Sequence, residues 1–232
     1  NYYKVAIESS LNNESKIIFF YLNSQVVYLS NEYPKLQDLI LKVDYLIPDG
    51  YSIVWAYKLL FNKRIKKVVF TYSYISYIIE YFITNNIHIF FLGSTESNIN
   101  KAYQLETNNF NGINIVGFHN GYFDKNNDTD RIVKLINQTN AKVLIVGMGC
   151  PLAEEWIITN KDKINAKLIF SVGGFFEFVS NDKKIAPSFL YNSGFEWFFR
   201  LLQEPRRLLK RYSFANFYFI ITLIKMKLRI EK

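Results

Sequence analysis

Four short apolar runs along the chain share one pattern. Residues 87–92 (IHIFFL) lead into Gly93-Ser94 and a helix-like stretch at 96–105, and 113–116 (INIV) lead into Gly117 and the loop GFHNGYF. Residues 142–146 (KVLIV) lead into Gly147-Met148-Gly149 and helix-like sequence from 151 to 159, and 167–172 (KLIFSV) lead into Gly173-Gly174. Runs this short, apolar at nearly every position and closed by glycine before helical periodicity resumes, read as buried parallel strands with crossover helices. Their starts are 25–29 residues apart, a spacing that suits βα units. An earlier strand is expected at 25–29 (QVVYL), followed by helix-like sequence at 35–43 and 39–46 that runs up to IPDG at 47–50. Residues 1–190 thus predict an α/β domain, a Rossmann-like doubly wound and mostly parallel sheet.

After Pro187 the pattern changes to an appendage, residues 191–232. Residues 195–212 read as helix, with Arg200, Glu204, Arg207 and Arg211 on one stripe and Trp197, Phe198, Leu201, Leu202, Leu208, Leu209 and Tyr212 filling the other side. Pro205 is expected to kink or split that helix. A second aromatic-rich run, 214–224, ends at Lys225, Lys227 and Arg229. Two occupants suit its apolar side: a lipid interface, or the main domain in an ordinary packed helix pair.

Charge follows the same division. The first 195 residues carry 19 basic and 17 acidic side chains, whereas residues 196–232 carry 9 basic and 3 acidic, so most of the net +8 sits in the appendage. That asymmetry disfavours a whole-surface nucleic-acid binder and favours a basic tail with its own task. One cysteine, Cys150, leaves no intramolecular disulfide and points to a reducing compartment. Two histidines, His88 and His119, with that cysteine make no zinc constellation, so no metal or other cofactor is expected. No uninterrupted apolar run approaches the roughly 18–20 residues that cross a bilayer. The expected location is cytoplasmic, free or attached to a membrane surface; the chain starts at Asn1, which leaves an upstream segment open.

In an open parallel sheet, ligands bind beyond the C-terminal strand ends. Gly93, Ser94, Gly117, Gly147, Gly149, Gly173 and Gly174 are all expected there, as tight turns or as backbone that lets an anion such as a nucleotide diphosphate approach helix N-termini. Neither GxxxxGK[ST] nor GxGxxG is present, which argues against a kinase or a dinucleotide oxidoreductase. Asp49, in Pro-Asp-Gly, is either turn chemistry or a carboxylate poised to take a proton from a sugar hydroxyl. Asp124 and Glu154 are further acid candidates whose favoured reading is as caps or dipole partners, and Glu177, at the end of a strand, reads as a supporting group. Neither histidine has a nucleophile nearby in the pattern, and Cys150 reads as a small packed thiol.

Together these residues resemble the WecG/TagA/CpsF glycosyltransferases. The resemblance rests on IPDG (47–50), FLGSTESNINKAYQL (91–105), INIVGFHNGYF (113–123), VGMGCPLAEEW (146–156), VGGFFEFVS (172–180) and above all GFEWFFRLLQEPRRLLKRY (194–212). It implies inverting, metal-independent transfer of a sugar from a UDP-sugar to a polyprenyl-diphosphate-linked saccharide at the inner face of the cell membrane. Such transfer feeds capsule, exopolysaccharide or related cell-surface polymers. The resemblance implies that Asp49 acts as general base, that Arg200 and Arg207 join it in catalysis, and that Lys67, Arg206, Lys210 and Arg211 lie at the acceptor, diphosphate or membrane. Gly93, Ser94, Gly147, Gly149, Glu154, Gly173 and Gly174 would hold the nucleotide-sugar.

Several positions depart from the family pattern. Ala153 stands for a Gln, and Tyr28 and Ser30 for a Thr-x-Asn after the early strand. Lys67 stands for an Arg, with Thr71 where an acid or polar residue is common, Glu177 for an Asp, and Ile185 for the Arg before Ala186-Pro187. They point to a divergent capsular or exopolysaccharide type, and they motivate an alternative, a non-catalytic nucleotide- or lipid-binding relative. Nucleic acid is not an expected partner. Exposed aromatics on the appendage would serve a second subunit in a homo-oligomer as well as a lipid surface.

Overall fold

The structure is a computed structural model describing residues 2–13, 15–63, 71–187, 189–190 and 194–230, with backbone alone at 2, 71–73, 76, 109, 210 and 211. Strands β1 (Ile17–Leu22), β2 (Tyr45–Pro48), β3 (His88–Gly93), β4 (Asn114–His119), β5 (Val143–Gly147) and β6 (Leu168–Ser171) form one sheet, ordered β2-β1-β6-β5-β3-β4. Every pairing is parallel. β3 to β6 fall where the glycine-closed runs place them. β5 and β6 are buried at every position, which is why they read as unbroken apolar sequence.

The start of the chain differs from expectation. The 25–29 run lies inside helix α2 (Ser24–Glu32), and the strand is the preceding IIFFYL. Asn23 decides between them: its extended backbone and a side-chain oxygen that accepts from the Val26 N–H, 3.1 Å away, start a helix. The 39–46 stretch is not helical throughout either. Helix α3 (Pro34–Ile40) ends at Leu41, and β2 pairs with β1 from Phe19↔Tyr45 to Leu22↔Pro48. Tyr28 and Ser30 therefore sit on a helix, and the pair at the end of the first strand is Tyr21, within β1, and Asn23, just after it.

Helices α1 (Tyr2–Asn13), α5 (Thr71–Thr84), α6 (Glu96–Asn109) and α9 (Phe175–Val179) cover one face of the sheet, and α7 (Thr129–Gln138) and α8 (Leu152–Asn160) the other. On the first face Phe19 stacks on Phe170 at 4.6 Å; on the second, Ile132, Ile136, Trp156 and Ile157 close over β5 and β6. α8, which follows β5, and α9, which follows the adjacent β6, leave toward opposite faces. The chain thereby parts beyond neighbouring strand ends, the arrangement that opens a crevice in doubly wound sheets.

Helix α4 (Tyr51–Phe61) follows β2, and the appendage lies against it. Pro205 splits the appendage into α10 (Glu196–Gln203) and α11 (Pro205–Ile230). At a first helical position the missing proline N–H costs no hydrogen bond, so α11 starts cleanly there. The 214–224 run is not a separate helix; it continues α11. This helix packs on α2 and α4 and buries Leu208, Ala215 and Phe219. No helix among the described residues is long and apolar enough to cross a membrane.

Candidate active site

A cavity of about 1120 Å³ opens beyond the ends of β1, β2, β3, β5 and β6 and is roofed by α10 and α11. Asp49 lies on its wall where β2 gives way to α4. Its N–H donates to the Leu22 carbonyl at 2.8 Å, and Asn23 Nδ2 donates to Asp49 Oδ2 at 3.0 Å. One asparagine thus caps α2 through its oxygen and orients the carboxylate through its nitrogen. Tyr21, two residues earlier and on the same side of β1, also lines the cavity. Its hydroxyl is buried with no hydrogen-bond partner. Burial first, and then the charge of Asp49, push its pKa well above the ordinary phenol value, so it stays protonated.

The appendage brings Arg200 into the same cavity. Arg200 Nε lies 2.9 Å from Glu196 Oε1, one helical turn back, and the guanidinium sits 4.7 Å over the Phe178 ring. Burial alone would lower its pKa; Glu196, Tyr212 and Asp49 outweigh that and keep it charged. Burial raises the Glu196 carboxyl, Asp49 adds to the rise, and Arg200 only partly offsets them. Arg207, on α11, lines the cavity too, with Nε donating to Glu204 Oε1 at 3.0 Å; Lys183 Nζ is 3.9 Å from the same glutamate. Gln203 fixes the roof by exchanging both hydrogen bonds with the Lys184 backbone, at 3.0 and 3.1 Å.

Across the cavity stand the residues expected to hold a nucleotide-sugar. Ser94, Gly147, Gly149, Glu154, Gly173 and Gly174 line it, whereas Gly93 does not. A Cβ at Gly93 would meet the Gly147 carbonyl at 2.3 Å, and one at Gly147 would meet the Phe176 ring at 2.6 Å, so close packing accounts for both. Gly149 and Gly173 have positive φ and open space around them. Ser94 Oγ donates to Glu177 Oε1 at 3.0 Å, leaving Glu177 Oε2 without a partner. Ser171 Oγ donates to Glu154 Oε1 at 2.6 Å; burial raises the Glu154 pKa against that bond. Tyr122, 81% exposed, stands at the rim, on a loop that Lys125 secures by donating to the Gly121 and Phe123 carbonyls.

Other sequence candidates fall elsewhere. Asp124 is exposed and caps its own loop through the Asn126 and Asn127 N–H groups, and those bonds hold its pKa down. Ala153 is buried in the core under β5, away from the cavity, while Ile185 lines it. Arg206 is exposed and outside the cavity. Lys67 lies outside the described residues, as do the side chains of Lys210 and Arg211. Sequence reasoning missed Asn23, Tyr21 and Glu196. An asparagine directly after an apolar run and three residues before an amide it can cap was the available signal for the first.

The model of the glycosyl transferase WecG/TagA/CpsF family matches residues 3–232. The chain is 26% identical over 210 residues to the N-acetylglucosaminyldiphosphoundecaprenol N-acetyl-beta-D-mannosaminyltransferases of Staphylococcus aureus strains MW2, NCTC 8325 / PS 47 and COL, an overlap of 90% of this chain and 81% of each relative. A match over nearly the whole length, ending in the helices that roof the cavity, shows that the chain belongs to the WecG/TagA/CpsF family and is a glycosyltransferase.

Proposed function

We propose that this glycosyltransferase moves a sugar from UDP to a saccharide carried on a polyprenyl diphosphate, with inversion, using Asp49 as general base. The observation that carries the reading is the meeting of an oriented carboxylate and a cation in one cavity: Asp49 held by Asn23, with Arg200 of the appendage lining the same cavity. In this reaction the acceptor oxygen attacks the anomeric carbon as its proton passes to Asp49. The bond from that carbon to the diphosphate breaks, and the UDP oxygen leaves with the electron pair. Arg200 and Arg207 would meet the negative charge that grows on the departing diphosphate, where charge-assisted bonds act most strongly. The glycine turns after β5 and β6 suit the donor side, and the Asp49 end suits the acceptor. The staphylococcal relatives' names specify a lipid-diphosphate acceptor, which supports this class of acceptor here.

The outer side of α11 supports a membrane-facing role. Leu209, Phe217, Ile220, Ile224 and Leu228 share that side and are each more than half exposed, with Arg206 near one end and Lys225 and Arg229 near the other. Such a helix lies in the plane of an anionic lipid surface, apolar side down. The residues after 190 thus act as an appendage that closes the site and attaches it to the bilayer. The test is mass spectrometry of an N-acetylglucosaminyl-diphosphoprenyl acceptor incubated with a panel of UDP-sugars. One sugar is gained with wild type, and the gain is lost in Asp49→Asn while UDP still binds. Full transfer by Asp49→Asn overturns the assignment of the base.

A further inference from the structure

The cavity extends along the appendage as well as over the strand ends. Its wall follows one side of α11 through Leu208, Tyr212, Asn216, Phe219 and Leu223, a helical repeat of threes and fours. Fifteen residues of helix rise by roughly 22 Å. At one end of this wall are Arg207, Tyr212 and the Asp49 site. At the other, Phe219, Ile220 and Leu223 of α11 face Val26 and Leu29 of α2. The chemistry changes sharply between the two ends. From Tyr212 to Ile224 the chain carries no charged residue, and the next cation is Lys225. The two helices are tied beside the passage by Ser24 Oγ donating to Asn216 Oδ1 at 3.2 Å and by the edge-on contact of Tyr28 with Tyr218.

Ile220 marks the mouth. It lines the cavity and is also 55% exposed, on the outward apolar stripe of α11, and Leu152, 56% exposed, lines the same cavity. A passage lined by Val26, Leu29, Phe219, Ile220 and Leu223, with Ser24, Gln25 and Asn216 as its polar members, therefore runs from the cations and base to the surface read above as lipid-facing. Sugars and nucleotides gain nothing from Val26, Leu29, Phe219 and Leu223, because apolar walls cannot satisfy their hydroxyls and phosphates. An isoprenoid chain attached to a diphosphate fits the order of groups: diphosphate at Arg207 and Arg200, hydrocarbon along α2 and α11, exit at Ile220.

We propose that the groove between α2 and α11 binds the first isoprene units of the lipid-diphosphate acceptor, so that the enzyme reads the hydrocarbon itself and not only the bilayer it is embedded in. This rests on the acceptor class proposed above.

The test uses the full chain, without membrane or detergent, and sugar diphosphate acceptors carrying a methyl group or one, two or three isoprene units, each below its aggregation limit. Apolar burial predicts that kcat/KM rises roughly tenfold or more from methyl to two isoprene units. Ile220→Gln and Leu223→Gln should pull the ratio of the two acceptors toward unity. Because the ratio is measured within one preparation, a partly misfolded variant does not distort it. Equal kcat/KM for all chain lengths in wild type, or an undiminished ratio in both variants, overturns the groove while leaving the glycosyltransfer reading intact. Absence of transfer to any of the acceptors overturns both.

Discussion

Replacing Tyr21 by phenylalanine removes one oxygen and leaves the ring, and the structure predicts that the protein becomes more stable. Tyr21 is 7% exposed, and its hydroxyl has no hydrogen-bond partner. A buried polar group left unpaired costs about 1–3 kcal/mol in desolvation that nothing returns. The ring packs with Phe19 and Ile47 whether or not the oxygen is present, so no cavity opens. We take the lower end, about 1 kcal/mol of stabilisation, because the ring edge borders the cavity. For a chain of this size that raises the melting temperature by roughly 2–4 °C. Thermal and urea unfolding of the two proteins side by side measure it. A loss of 1 kcal/mol or more in the variant refutes the reasoning, because it would mean that the hydroxyl has a partner in the folded protein. Transfer is expected to move the opposite way. Burial and the Asp49 charge keep the phenol protonated; on the proposed mechanism it would donate to Asp49 in the substrate complex, so Tyr21→Phe should turn over more slowly while melting later. A polar group kept at a cost to stability is the usual sign of such a trade.

Asn23→Ala removes the cap of α2, costing about 1 kcal/mol. It also frees Asp49, and misplacement of the base should lower kcat by on the order of 10–100-fold, measured by single-turnover transfer at saturating substrates. Glu106, 2% exposed, has its carboxyl pushed up to about 7 by burial. The folded state then holds its proton more tightly than the unfolded one, so this stability is full below about pH 4.5 and is lost as pH rises through 7, roughly 3 kcal/mol in all; urea titrations should show that slope in wild type and its loss in Glu106→Gln. Gly147→Ala would drive a methyl to 2.6 Å from the Phe176 ring and 3.1 Å from the Gly173 carbonyl. It should cost about 1–3 kcal/mol by overpacking, and unchanged unfolding would show that α9 yields freely.

Strands β3, β5 and β6 were legible because each is a buried run followed by glycine, and burial on both faces leaves no competing periodicity, whereas β4 is half-buried at every position and carries its glycine, Gly117, inside the strand. The first βα unit was misread because two apolar runs, IIFFYL and QVVYL, stand side by side and composition favours neither. What separates them is one capping bond at Asn23, a local geometry that apolar patterning does not carry. The site was partly legible for the same kind of reason. Asp49 stands out in Pro-Asp-Gly and Arg200 in the tail string. The residues that give them their chemistry come from positions 26 residues earlier, through the β1–β2 register, and from a glutamate whose importance depends on where the appendage lands.

The tail charge shows what that difference means. In the sequence, Arg200, Glu204, Arg207 and Arg211 form one stripe, as if the arginines faced a diphosphate and the glutamate were incidental. The break at Pro205 puts Arg200 and Arg207 on different helices, and each is paired with a glutamate one turn away, Glu196 or Glu204. The cations that reach the cavity are therefore already partnered, and a diphosphate must share or replace those carboxylates. For Arg207, whose pair is half exposed, replacement is cheap, since exposed ion pairs contribute about 0–1 kcal/mol. For Arg200 the partner is more deeply covered and Asp49 adds to its field, so on the proposed mechanism its charge would serve Asp49 as much as the leaving group. Arg207→Ala should accordingly weaken UDP binding with Asp49 chemistry intact, whereas Arg200→Ala should also displace the pH dependence of kcat. Identical pH profiles for both variants would show that Arg200 serves the diphosphate alone.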